Sequence, residues 1–183
     1  MRCSICKNGE VETVERTGRI LYQCPNGHTR PTVEKSEEGI KTTTFNGEKI
    51  QVKIAALVFT GEEILMVKRK KYPYLYSIPF RHLKENEKPS EAARKTVEKQ
   101  TNLQISNTAL LTEKVLPSRC WMRCNKHKWI FFKAEAEKNM VIPGKIADEA
   151  NWFDRKKIIQ DLPIDTGTKH LYKQGFLNKL TVI

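Results

Sequence analysis

The sequence predicts an α/β (α+β) sandwich, a mixed sheet with helices packed on it, behind a small N-terminal module. Three observations carry this. Short apolar runs with strand periodicity alternate with one firm helical pattern and two weaker ones. The 183 residues suit one ordinary domain plus an appendage. Apolar residues make up 39% and charged residues 30%, enough to build a core, so disorder of the whole chain is excluded. The expected organisation is a module over 1–35, a linker and first strand over 36–48, and the main domain over 49–183.

The module opens with Cys3-x2-Cys6. Seventeen residues later come Cys24-x3-His28. Two short pairs of soft ligands on separate turns suit a tetrahedral zinc ion. Between them, Val11–Val14 reads as a strand, Gly18 as the turn and Arg19–Gln23 as the returning strand. Pro25, Asn26 and Gly27 supply turn chemistry inside the second loop. The segment resembles a zinc ribbon of the Cys3His type. About thirty residues cannot build a self-sufficient core, so the metal would supply most of the folding energy. Four protein ligands make the ion structural rather than catalytic. Unmetallated thiols or disulfides are the alternatives. Cys120, Cys124 and His127 form a looser second set, read as two thiols beside a strand and an exposed histidine.

Ser36–Gly39 is read as the linker, and Asn46-Gly47 as a hairpin turn. From Lys49 to Phe59 an alternating pattern merges into a buried strand. Thr60–Glu63 turns the chain and Ile64–Val67 returns. Ser77–Phe80 is short and apolar. A helix is expected from Pro89, capped by Ser90, with Ala92, Ala93, Thr96 and Val97 on its apolar face and Asn102 as a left-handed C-cap. Strands follow near 108–116, 129–137 and 152–153. Asp154 is the expected cap of a helix to Gln160, and Asp165 or Thr166 of a last helix to about Leu180.

This order of elements resembles the Nudix fold. The Nudix box reads Gly-x5-Glu-x7-Arg-Glu-U-x-Glu-Glu-x-Gly-U, with U apolar, and residues 81–103 match its length without a gap. Glu87 stands at the first glutamate, Lys95 at the arginine, Val97 and Leu103 at the apolar sites. The glycines become Arg81 and Asn102, and the three helix glutamates become Thr96, Lys99 and Gln100. Flanking features agree: Leu65–Arg69 before the box, and Glu149-x2-Trp152 after it. A zinc ribbon ahead of such a domain is similar to zinc-ribbon Nudix hydrolases of the NADH-pyrophosphatase-like kind.

The resemblance implies helix carboxylates that hold Mg²⁺ or Mn²⁺ against a substrate diphosphate. Hard cations need oxygen ligands, and Lys99 would put an ammonium in their place. Neither Mg²⁺ nor Mn²⁺ is therefore expected in the box, and the domain reads as a pseudoenzyme.

Charge suggests a use for it. Residues 1–47 hold seven Lys/Arg against six Asp/Glu, and residues 48–183 hold 26 against 15. The formal net charge of +12 thus lies almost wholly in the main domain. Lys68, Arg69, Lys70 and Lys71 form its densest run, with Tyr72, Tyr74 and Tyr76 following. The first expectation is binding of RNA, a ribonucleoprotein such as the ribosome, or another nucleic acid. Lys68–Lys71, Arg81 and Lys99 would contact phosphates, and Tyr72 and Tyr74 would stack on bases. An alternative is a protein-interaction or nucleotide-sensing subunit without hydrolysis. A second alternative is a hydrolase with displaced ligands, drawn from Glu87, Glu113, Glu135, Glu137 and Glu149. His82, His127 and His170 are isolated in sequence and read as packing or surface residues. No apolar run is long enough to span a bilayer, and Met1–Cys6 lacks the apolar core of a secretory signal, so a cytoplasmic protein is expected.

Overall fold

The computed structural model describes residues 12–16, 19–31, 39–70, 74–118 and 125–177. Cys3, Cys6, Gly18, Lys71, Tyr72, Cys120 and Cys124 lie outside them. The chain divides into two compact units, Met1–Glu38 and Gly39–Ile183.

In the first unit, β1 (Glu12–Arg16), β2 (Arg19–Gln23) and β3 (Thr29–Pro31) form a three-stranded antiparallel sheet. The turn from β2 to β3 runs through Cys24 to His28. It is closed by the Gly27 amide donating to the Cys24 carbonyl, and Gly27 takes a φ of 75° that favours glycine.

The second unit is built on β5 (Glu48–Thr60), whose residues 50–59 are all buried. A strand buried on both faces must carry apolar residues at odd and even positions, and Ile54–Phe59 does. β4 (Thr42–Phe45) joins β5 through Asn46 and Gly47, with φ of 49° and 76°, as the Asn-Gly signal requires. β6 (Glu63–Arg69), β7 (Tyr76–Ser77) and β8 (Phe80–His82) follow, then β9 (Ala109–Pro117), β10 (Lys126–Glu135) and β11 (Ala147–Asp154). Their order is β11-β6-β5-β10-β9, with β4 and β8 also paired to β5 and β7 to β6. Only β5–β10 is parallel among the described pairs, so the sheet is mixed.

Alternation along β5 sorts the core into two faces. Val52, Ile54, Ala56 and Val58 pack with Ala92, Ala93 and Val97 of helix α1 (Pro89–Thr101). Ala55, Leu57 and Phe59 pack with Ile158, Ile164, Leu171 and Leu177, contributed by α2 (Ile158–Asp161), α3 (Thr166–Lys173) and the segments around them.

Two expected helix starts move and two expected caps hold. α1 is capped by Lys88, not Ser90, because Pro89 has a fixed φ and no amide to lose and so takes the first helical position. Asn102 closes it at φ 52°, its amide donating to the Glu98 carbonyl. Asp154 does not cap a helix; its Oδ1 accepts the Lys156 amide in a turn, and α2 starts after Lys157. Asp165 does cap α3, where Oδ1 accepts the Thr168 amide at 2.9 Å.

Candidate functional site

The box segment runs from β8 through a loop into α1. Arg81 closes that loop on itself. Its Nη1 and Nη2 donate to Glu87 Oε2 and Oε1 at 2.7 and 2.9 Å, and Nη1 also donates to the His82 carbonyl at 2.9 Å. Glu87 Oε2 accepts the Lys84 amide at 3.1 Å as well. Hydrogen bonding from Arg81 holds the Glu87 carboxyl below the usual range. A bidentate guanidinium occupies both oxygens in a fixed plane.

The helix positions are equally engaged. Thr96 is buried, and its hydroxyl donates to the Ala92 carbonyl at 2.5 Å. Gln100 is buried, and Nε2 donates to the Phe80 carbonyl at 2.7 Å, tying α1 back to β8. Lys99 is exposed near the C-terminus of α1. The divalent cation of a hydrolytic Nudix site does not fit this donor set. Both Glu87 oxygens are paired with Arg81, Thr96 and Gln100 are uncharged where the pattern has carboxylates, and Lys99 carries the wrong sign.

The displaced-ligand candidates are dispersed or paired. Glu113 pairs with Lys128 at 2.7 Å, and Glu135 and Glu137 are exposed. Glu149 Oε1 accepts Lys68 Nζ at 2.5 Å, and Oε2 accepts the Tyr76 hydroxyl at 2.5 Å. The two partners hold Glu149 below its ordinary range, and its hydrogen bond raises Lys68. Among the described residues no group of three or more His, Cys, Asp or Glu side chains could hold a metal ion.

The basic run does not form a uniform surface strip. Lys68 lies in that network, with Nζ 5.7 Å from the Tyr76 ring centroid. Arg69 is half-buried, its guanidinium 5.9 Å from the Phe80 ring; burial lowers its pKa. Lys70 and Tyr74 are exposed, Tyr74 with a φ of 50°.

In the first unit, Cys24 Sγ and His28 Nδ1 stand 3.4 Å apart. Two ligands at zinc–sulfur and zinc–nitrogen distances, on adjacent corners of a tetrahedron, stand about 3.5 Å apart. The separation is that of a sulfur–nitrogen hydrogen bond and equally of two ligands on one zinc ion.

A polar group that sequence reading missed sits on the α3 face of the sheet. His82 and His127 bring their ring centroids within 5.6 Å, and Lys53 Nζ lies 4.9 Å from the Trp129 ring centroid. Burial, then the Lys53 charge, push His82 down to about 4 and His127 to about 3. A lysine inside the apolar run of β5 was the available signal. The histidines gave none, because 45 residues of chain separate them.

The comparisons agree with this architecture. A search of curated proteins finds no match. Among solved structures, a MutT NUDIX hydrolase from Burkholderia pseudomallei is 17% identical, covering 73% of this chain and 100% of that one, with a TM-score of 0.61. The NUDIX domain of Shewanella oneidensis NrtR, complexed with ADP ribose, is 17% identical over 71% of this chain and 88% of that one, TM-score 0.59. A NUDIX hydrolase from Nitrosomonas europaea is also 17% identical, over 97% of this chain and 91% of that one, TM-score 0.57. At these identities the likeness is one of fold. The NUDIX domain model matches residues 49–175, more than half of the sequence, and by that match the chain belongs to the NUDIX family.

Proposed function

We propose that the second unit is a non-hydrolytic Nudix domain that binds a nucleotide-type ligand. The observation that carries this is the Arg81–Glu87 pair, which closes the box loop where the family pattern has a glycine and a glutamate. Thr96, Lys99 and Gln100 add no carboxylate to replace it. A domain of this fold can keep its ligand after losing its metal chemistry. The NrtR domain holding ADP ribose supports a nucleoside diphosphate derivative as the ligand class.

The test is a panel of nucleoside diphosphate derivatives and nucleoside triphosphates, added to the full chain with and without Mg²⁺ or Mn²⁺. Thermal stabilisation without cation and without released product is the expected result. Cation-dependent hydrolysis that disappears in Glu87→Gln would sink the proposal and restore the hydrolase alternative.

A second reading, RNA or ribonucleoprotein binding, rests on the 26 Lys/Arg against 15 Asp/Glu of residues 48–183. Phosphate contacts make such binding steeply salt-dependent. Retardation of unstructured RNA that fades as salt rises, with no response to free nucleotides, favours this reading over the first. For the first unit we propose one structural zinc held by Cys3, Cys6, Cys24 and His28. The Cys24–His28 separation supports it.

A further inference from the structure

The loop between β10 and β11, residues 136–146, holds no residue of the box or of the basic run. Met140, Ile142 and Ile146 on it are 86%, 49% and 60% exposed. They are three of the six large apolar side chains left exposed among the described residues, gathered within seven positions. Single exposed apolar residues are ordinary, but a cluster marks a contact surface. Val141 turns inward, against the core under α1 and against Val67, Ala147 and Ala150. An extended chain that buries one residue turns its two neighbours outward.

The segment is held firmly. The Ile142 and Gly144 amides donate to the last carbonyls of α1, the Ala147 amide to the Gly144 carbonyl at 3.1 Å, and Trp152 Nε1 to the Asn139 carbonyl at 3.0 Å. The outward side chains are therefore presented on a fixed backbone, and paired backbone groups cost less to bring toward an apolar medium. Lysines border them. Lys145 precedes Ile146, the Lys70 amide donates to the Ile146 carbonyl at 3.5 Å, and Gly144 lies against the Lys99 carbonyl. All three lysines are exposed. From Lys138 to Ile146 the chain holds no acidic residue; Glu98, Glu137 and Asp148 lie outside that stretch, and Lys138 pairs with Glu63 at 2.5 Å. Around it, residues 48–183 carry 26 Lys/Arg against 15 Asp/Glu, so the whole unit is drawn to anionic surfaces.

This combination of chemistries selects the occupant. Nucleic-acid phosphates would satisfy the lysines and leave three apolar side chains wet. Protein interfaces favour aromatic residues and arginine and are depleted in lysine. The headgroup layer of an anionic bilayer suits both parts. Apolar side chains enter the acyl boundary, while lysine stems lie along it and keep their ammonium groups among the lipid phosphates.

We propose that Met140, Ile142 and Ile146, bordered by Lys70, Lys99 and Lys145, form a docking surface for an anionic lipid bilayer. The contact is peripheral and needs neither the box nor a nucleotide, so it goes beyond the function proposed above.

The test is co-sedimentation of the full chain with vesicles of phosphatidylcholine alone, or of phosphatidylcholine and phosphatidylserine in equal parts. Partition onto the mixed vesicles, weakening as salt rises, and not onto phosphatidylcholine alone, is the expected result. Met140→Ser combined with Ile142→Ser removes apolar surface and no charge, and should weaken partition at least about tenfold. Both side chains are exposed, so this variant should fold, as its urea transition will show. Lys145→Gln should weaken partition about fivefold. Lys173→Gln, on α3 across the sheet, removes the same charge and should change it less than about twofold. No partition onto the mixed vesicles overturns the proposal. So does partition unchanged in the double serine variant, which would be attraction of a basic protein without this surface. RNA retardation or self-association that is lost in the double variant, with vesicles ignored, gives the surface to nucleic acid or to a second copy and equally overturns it.

Discussion

Arg81 and His127 show how single residues set local charge in this domain. A guanidinium replaces the hydrogen of the pattern's glycine and finds the one box carboxylate that survives. That pair is only partly exposed, with side-chain values of 21% and 25%, so solvent screens it less than a surface pair. His127 works in the opposite sense, because burial keeps it uncharged. Its folded pKa, about 3, and that of His82, about 4, lie below the 6.5 of the unfolded chain. The unfolded state therefore binds more protons below pH 6.5. Their contribution to stability is complete above that pH and is lost as pH falls toward 3. Urea unfolding between pH 7 and 4 should show stability declining with acid. His127→Gln should remove up to about 1.4 kcal/mol per pH unit from that slope. Asp165, pushed up by burial, acts with the opposite sign but is common to both proteins and cancels in the difference. An unchanged slope would mean that His127 is charged in the fold.

At the scale of elements, α1 is held at both ends by contacts with neighbouring segments. Pro89 starts it and Gln100 ties it to β8 through the Phe80 carbonyl. Its last carbonyls, orphaned by helix geometry, are taken by the loop before β11. The Ile142 amide donates to the Thr101 carbonyl at 3.0 Å, and the Gly144 amide to that of Gln100 at 2.8 Å. Gly144 lies so close that a Cβ would stand 2.0 Å from the Lys99 carbonyl oxygen. Backbone cannot swing aside as a flexible side chain does. Gly144→Ala is therefore expected to lift this loop and cost about 2–3 kcal/mol in urea unfolding. A loss below about 0.5 kcal/mol would mean that the contact relaxes freely.

For the whole molecule, the two units rest on different physics. The second has a core on each face of its sheet and is stabilised by burial. The first is too short for such a core and is proposed to depend on its metal. Metal analysis of the full chain should give about one zinc. Chelation should abolish protease resistance of residues 1–35 while leaving the thermal transition of the second unit in place. Zinc well below one per chain, or a first unit indifferent to chelator, would remove the ribbon. Among the described residues, no helix is long and apolar enough to cross a membrane.

Legibility followed the range of the interaction. The α+β class, the buried strand around Ile54–Phe59, the Asn46-Gly47 turn and the Asn102 cap are local matters of periodicity and backbone preference, and the sequence alone determined them. It also determined that the box lacks its helix carboxylates, since that is a matter of residue identity. Only the tertiary structure decided the partners. Glu87 is locked by Arg81 rather than open, and Lys68 is drawn into a network with Glu149 and Tyr76 across paired strands. His82, Lys53, His127 and Trp129 meet because β8, β5 and β10 align in one register. Strand register is a collective outcome of packing, and no single stretch of the chain encodes which distant residue will stand opposite another.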